Sequence, residues 1–141
     1  MTSLYRDAPR TDRKILVVDD DSASADALAY ALQCYGYATD IADDGQAALD
    51  KCSEVDPAAV VLDIKMPHMS GFEVTRRLRA MPQFSQLPII AVTGHARAEV
   101  RSFARQAGID KLFFKPLQAE DIEAIAGALA ANARQISAQP V

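Results

Sequence analysis

The chain predicts an α/β domain built on a parallel sheet with helices on both faces. Three observations carry this. Short apolar runs alternate with helical patterns from one end to the other. The runs lack the period-two alternation of strands that face water on one side, so they read as strands covered twice. Polar or charged residues stand where each run stops: Asp19 after Ile15-Leu16-Val17-Val18, Asp63 after Val60-Val61-Leu62, Thr93 after Ile89-Ile90-Ala91-Val92, and Lys115 after Leu112-Phe113-Phe114.

In order, the first strand covers 14–18. A helix follows, with Ala25, Leu28, Ala29 and Leu32 at i, i+3, i+4 and i+7. Gly36 suits a left-handed stop to that helix. Residues 37–42 alternate more, as an edge strand does. A weaker helical pattern spans 45–54 and a strand spans 58–62. Val74, Leu78 and Met81 form a short stripe before the strand at 88–92. Val100, Phe103, Ala104 and Ala107 form one apolar stripe on a helix over 96–107, which Gly108 ends. The fifth strand is 111–114. Ile122, Ile125, Ala126 and Leu129 mark the last helix, over 117–133. Right-handed crossovers place these helices on both faces of the sheet. The expected division is a flexible tail at 1–13, one domain at 14–133 and a second tail at 134–141.

Composition narrows the function. The chain has 141 residues, half of them hydrophobic, enough for one domain with a sizeable core. A net charge of −4 and a pI of about 5.1 argue against nucleic-acid or anionic-membrane partners. No apolar stretch reaches the roughly 20 residues that span a bilayer, and the N-terminus has no secretory pattern. A cytoplasmic location is therefore expected. Cys34 and Cys52 lack metal-ligand spacing and read as reduced, partly buried thiols.

In an open parallel sheet the strand ends share one rim, where ligands bind. Carboxylates, a hydroxyl and an amine gathered there can hold a divalent cation and a phosphoryl group. Helix capping accounts for Asp21 and Ser22. It accounts poorly for Asp19 and Asp20, because packed acids repel one another unless a cation joins them. Asp63 as a plain turn residue, Thr93 as a β-branched strand end and Lys115 as a solvated lysine are the plainer alternatives.

The run Asp63-Ile64-Lys65-Met66-Pro67-His68-Met69-Ser70-Gly71, taken with Asp19-Asp20, Thr93 and Lys115-Pro116, resembles the response-regulator receiver family of two-component signalling. The resemblance covers about 14 to 133. It implies a flavodoxin-like, three-layer α/β/α fold with a five-stranded sheet in the order 2-1-3-4-5. It implies a phosphorylation switch, not a conventional enzyme, that catalyses its own Mg2+-dependent phosphorylation and dephosphorylation. Asp63 would accept the phosphoryl group from a histidine kinase or histidine phosphotransfer protein. Asp19, Asp20, Asp63 and the backbone carbonyl of Lys65 would hold Mg2+. Thr93 and Lys115 would contact the phosphoryl oxygens, with the small Gly94 leaving room for them. The Lys115–Pro116 peptide would be cis. An unidentified protein would act downstream.

The chain departs from that pattern at Leu112, where receivers commonly carry an aromatic residue that moves with the threonine. Thr93 and Leu112 are thus the expected switch pair, with the readout altered. Lys65 and His95 stand where family members tune the lifetime of the phosphate; Lys65 as a solvated loop lysine is the open alternative. Arg97, Arg101 and Arg105 share one helix face, and Glu120, Asp121 and Glu123 lie on the last helix. A homodimer through the helices over 96–107 and 117–133 would pair these charges, and a merely solvated face would use them equally well.

Two other functions compete. A haloacid-dehalogenase-type phosphohydrolase also places a nucleophilic Asp after its first strand, but Asp19-Asp20-Asp21-Ser22-Ala23 lacks the closing Thr or Val of its pattern. A flavin-binding module would need a glycine- and hydroxyl-rich loop where this chain has acids.

Overall fold

The structure, a computed structural model, describes residues 13–94 and 98–138, with side chains described as far as 131. The predicted tail at 1–13, apart from Arg13, lies outside the described residues, as do His95 and Arg97.

Five parallel strands form one sheet: β1 (Ile15–Val18), β2 (Thr39–Ala42), β3 (Ala59–Asp63), β4 (Ile89–Thr93) and β5 (Lys111–Phe114). Their order is β2-β1-β3-β4-β5. The connecting helices are α1 (Ser22–Cys34), α2 (Gly45–Val55), α3 (Gly71–Arg79), α4 (Ala98–Ala107) and α5 (Ala119–Ala138). A short 3-10 turn, Pro82–Phe84, lies between α3 and β4. The helix α5 continues past the boundary expected at 133.

The missing alternation in the strands has a direct cause. Leu16, Val18, Val60, Leu62, Ile89 and Ala91 face one layer, with Val74, Leu78 and Val100 from α3 and α4. Ile15, Val17, Ala59, Val61, Ile90 and Val92 face the other, with Ala25, Leu32 and Ile125 from α1 and α5. Both faces are dry, so every position must be apolar. Each fully buried Val, Leu or Ile contributes about 1.5–3 kcal/mol relative to exposure.

Helix ends follow their local chemistry. Asp21, Asp44 and Ser70 cap α1, α2 and α3, accepting from the amides of Ser24, Ala47 and Glu73. Both α1 and α4 stop on a left-handed glycine. Gly36 (φ 93°) and Gly108 (φ 101°) each donate to the carbonyl three residues back, and the following residue, Tyr37 or Ile109, donates to the carbonyl one residue deeper in the helix.

Two expectations need correction. The periodicity puts Phe103 in the apolar stripe of α4, but it is 50% exposed, while Val100, Ala104 and Ala107 are buried. Those three fill the space over the sheet, and Phe103 lies at the stripe's margin, edge-on to Phe72 of α3 with centroids 6.0 Å apart. Cys34 is exposed rather than partly buried, because it ends α1 on the outer side; Cys52 is fully buried.

Candidate functional site

The ends of β1, β3, β4 and β5 place the expected residues on one rim. Asp19 directly follows β1, and its amide extends the β1–β2 ladder by donating to the Ala42 carbonyl. Asp63 is the last residue of β3. Both carboxylates are buried, at 6% and 9% exposure, while Asp20 is exposed. One oxygen from each of Asp19, Asp20 and Asp63 lies within 4.8 Å of the others.

Lys115 joins the two buried acids. Its Nζ donates to Asp19 Oδ2 at 2.9 Å and to Asp63 Oδ2 at 3.2 Å. Each acid takes a backbone amide on its other oxygen: Asp21 N–H on Asp19 Oδ1 at 3.0 Å, and Lys65 N–H on Asp63 Oδ1 at 3.3 Å. The pair is therefore oriented from two sides. Burial raises the pKa of Asp63, the charge of Asp19 adds to the rise, and Lys115 holds it back. For Lys115, burial alone would lower the pKa. Its bond to Asp19 and the two carboxylate charges outweigh that, so its pKa is raised.

Thr93 ends β4, 1% exposed, and its carbonyl accepts from Lys115 N–H at 2.8 Å. That bond ties the hydroxyl-bearing residue to the lysine-bearing one. The Lys115–Pro116 peptide is cis, as expected. A Cβ on Gly94 would meet nothing within 4 Å, so open space lies beside Thr93. Leu112 is half-buried in the layer that contains Val100, and Phe113 packs on the opposite layer. Phe114 sits beside Thr93 in the β4–β5 register, with the Arg101 guanidinium 5.1 Å above its ring. Lys65 stands exposed in the loop after Asp63.

Gly71, the last residue of the 63–71 run, shapes the loop after Asp63 as expected. Gly71 donates to the Ile64 carbonyl at 2.8 Å, and a Cβ there would lie 2.5 Å from the Asp63 carbonyl oxygen. The pairing of Gly45 with Met69, by contrast, left no signal in the sequence. A cleft of about 600 Å³ opens beside Asp63 and Lys115, walled by Ala27, Leu28 and Ala31 of α1, together with Leu117 and Ile122.

Three acids of one charge, two of them buried and none capping a helix at Asp19 or Asp63, form a donor set of hard oxygens. That chemistry fits Mg2+, which is commonly held by one or two carboxylates with water and phosphate oxygens completing the shell.

A five-stranded parallel sheet with acids gathered at one rim defines a flavodoxin-like α/β module, and comparison with known proteins identifies its family. The profile of the response regulator receiver domain family matches residues 15–126. The chain is 40% identical over 109 residues to the response regulator MprA of Mycolicibacterium vanbaalenii, a match covering 77% of this chain and 46% of that protein. The chain thus matches just under half the length of that relative. Among solved structures, the chemotaxis protein CheY4 of Vibrio cholerae superposes with a TM-score of 0.79 at 27% identity, over 84% of this chain and 99% of that one. The receiver domain of the Pseudomonas aeruginosa sensor histidine kinase PA1611 superposes with a TM-score of 0.76 at 26% identity, over 86% and 99%. That receiver carries a magnesium ion coordinated in its active-site cleft. This chain belongs to the response regulator receiver domain family.

Proposed function

We propose that the chain is a phosphorylation switch in which Asp63 accepts a phosphoryl group from a phosphohistidine. The observation that carries this reading is the cluster itself: oxygens of Asp19, Asp20 and Asp63 within 4.8 Å, with Lys115 Nζ bridging the two buried acids. Such a concentration of charge serves a ligand better than it serves folding.

In this reading Asp63 attacks the phosphorus through Oδ2 or Oδ1, a P–O bond forms and the P–N bond to the donor imidazole breaks. The attacking oxygen must be free, and Lys115 can release Asp63 because it keeps Asp19 at 2.9 Å. Its ammonium then faces the new phosphoryl oxygens as a point charge. The Thr93 hydroxyl is the donor on the other side, with the space beside Gly94 to receive the group. Asp19, Asp20, Asp63 and the Lys65 carbonyl would hold Mg2+, which would supply neutralising charge at those oxygens.

The partner is a histidine kinase or histidine phosphotransfer protein, whose histidine-bearing element reaches Asp63 along the cleft between α1 and Leu117. The cytoplasm is where such donors would meet it; no helix among the described residues is long and apolar enough to cross a membrane. The haloacid-dehalogenase alternative gains no support from the family match. The test is mass measurement after incubation with a small phosphodonor and Mg2+. One added phosphoryl group, lost in Asp63→Asn, is expected. Unlabelled parent protein, or equal labelling of the variant, would refute the reading.

A further inference from the structure

The loop 64–70 carries Lys65 and is fastened at both ends. At the α3 end, Gly71 N–H donates to the Ile64 carbonyl at 2.8 Å. At its outer bend, Met69 lies across Gly45, the first residue of α2. A Cβ built on Gly45 would lie 2.8 Å from Met69 Cβ, 2.9 Å from its Sδ and 3.0 Å from its Cγ. The clash includes Cβ, which cannot swing away as the tip of a side chain can.

The backbone does not ask for glycine here. The left-handed glycines are Gly36 and Gly108, and Gly45 sits in a regular helix behind the Asp44 cap. In that setting the helix gains nothing from glycine over alanine. Space, not conformation, excludes a side chain at 45. The other end of the same loop reaches the acids: Lys65 N–H donates to Asp63 Oδ1 at 3.3 Å. A push at Met69 is therefore passed along a short, fastened segment to the carboxylate.

We propose that Gly45 is a positioning residue for Asp63: the notch it leaves seats Met69, and this seating sets the loop that orients the Asp63 carboxylate and presents Lys65 to the cation. The inference rests on the phosphoacceptor reading for its consequence, but the seating itself has a metal-free readout. Gly45→Ala is expected to speed amide hydrogen exchange at Lys65 and Gly71 without added metal. In an Mg2+ titration followed by the same amides, it is expected to raise the Kd by about 10-fold, as loss of a ligand's support typically does.

Two further variants keep the idea exposed. Met69→Ala removes Cγ and Sδ without adding bulk, and should shift exchange and Mg2+ affinity in the same direction. Arg79→Ala loosens the opposite edge of the sheet and should leave Mg2+ affinity unchanged. Parent-like exchange and affinity in both Gly45→Ala and Met69→Ala would overturn the proposal. So would equal weakening in Arg79→Ala, which would make the effect one of general stability. Should the parent itself fail to bind Mg2+, the phosphoacceptor reading falls, and the exchange rates still decide whether Met69 seating holds the loop.

Discussion

Lys115 balances two buried carboxylates with one ammonium, so the resting rim carries uncompensated negative charge. This has a consequence for stability. An acid whose pKa is raised on folding helps the folded state only while protonated. Its contribution is complete below 3.8 and is lost as the pH rises past the folded value. With metal chelated at neutral pH, Asp63 therefore weighs against folding. Asp63→Asn should raise the melting temperature at pH 7, and the gap should close below pH 3.8; a lower melting temperature at pH 7 would contradict the geometry. The thiols make a second residue-scale contrast. Burial pushes the Cys52 thiol up to about 12, with Asp56 adding to the rise, whereas Cys34 is exposed. A thiol reagent should label Cys34 alone in the native protein and both cysteines in denaturant. Asp19, Asp63, Thr93 and Lys115 were legible because each residue type stands at the end of an apolar run. The seat of Met69 on Gly45 was not, because a close approach between segments 24 positions apart leaves no local pattern.

At the scale of elements, Arg79 is the clearest case of a role hidden from sequence. Read along α3, it is one more basic residue near a helix end, beside Arg76 and Arg77, which pair with Glu73. In the fold it turns inward. Its guanidinium donates to the carbonyls of Phe84 at 3.0 Å, Leu87 at 2.6 Å and Gly108 at 2.8 Å, and pairs with Asp110 at 3.2 Å. Asp110 in turn accepts the Ile89 amide at 2.8 Å. One side chain thus fastens the end of α3, the 3-10 turn and the entry to β5. Arg79→Ala takes the guanidinium donor from the Leu87 and Gly108 carbonyls and should cost about 2 kcal/mol, read by urea unfolding. A loss below a few tenths would mean that water replaces it. The stripe on α4 failed for the converse reason: periodicity identifies a face but not its width. Val100, Ala104 and Ala107 already cover the sheet, so Phe103 is left at the margin against Phe72.

Across the whole molecule, the alternation of apolar runs and helical patterns was sufficient to specify the sheet, because a doubly covered parallel sheet is one of few ways to bury such runs. Strand order came from family resemblance, not from periodicity, since nothing in a run says which neighbour it will take. The rim then links folding to ligand. A cation that binds only the assembled cluster must stabilise the whole domain, by about 2.7 kcal/mol at a hundred times its Kd. Thermal melting with and without Mg2+ should show this gain, and Asp20→Ala, which removes an exposed member of the cluster, should diminish it. An identical gain in that variant would place the ion elsewhere.

The bond from Lys115 to Asp19 spans 96 positions of the chain. Neither residue can find the other until β3 and β4 have been laid between them. A ribosome-bound fragment ending before β5 possesses every acid but lacks their shared amine. The rim therefore gains its bridging cation last, just after the fifth strand.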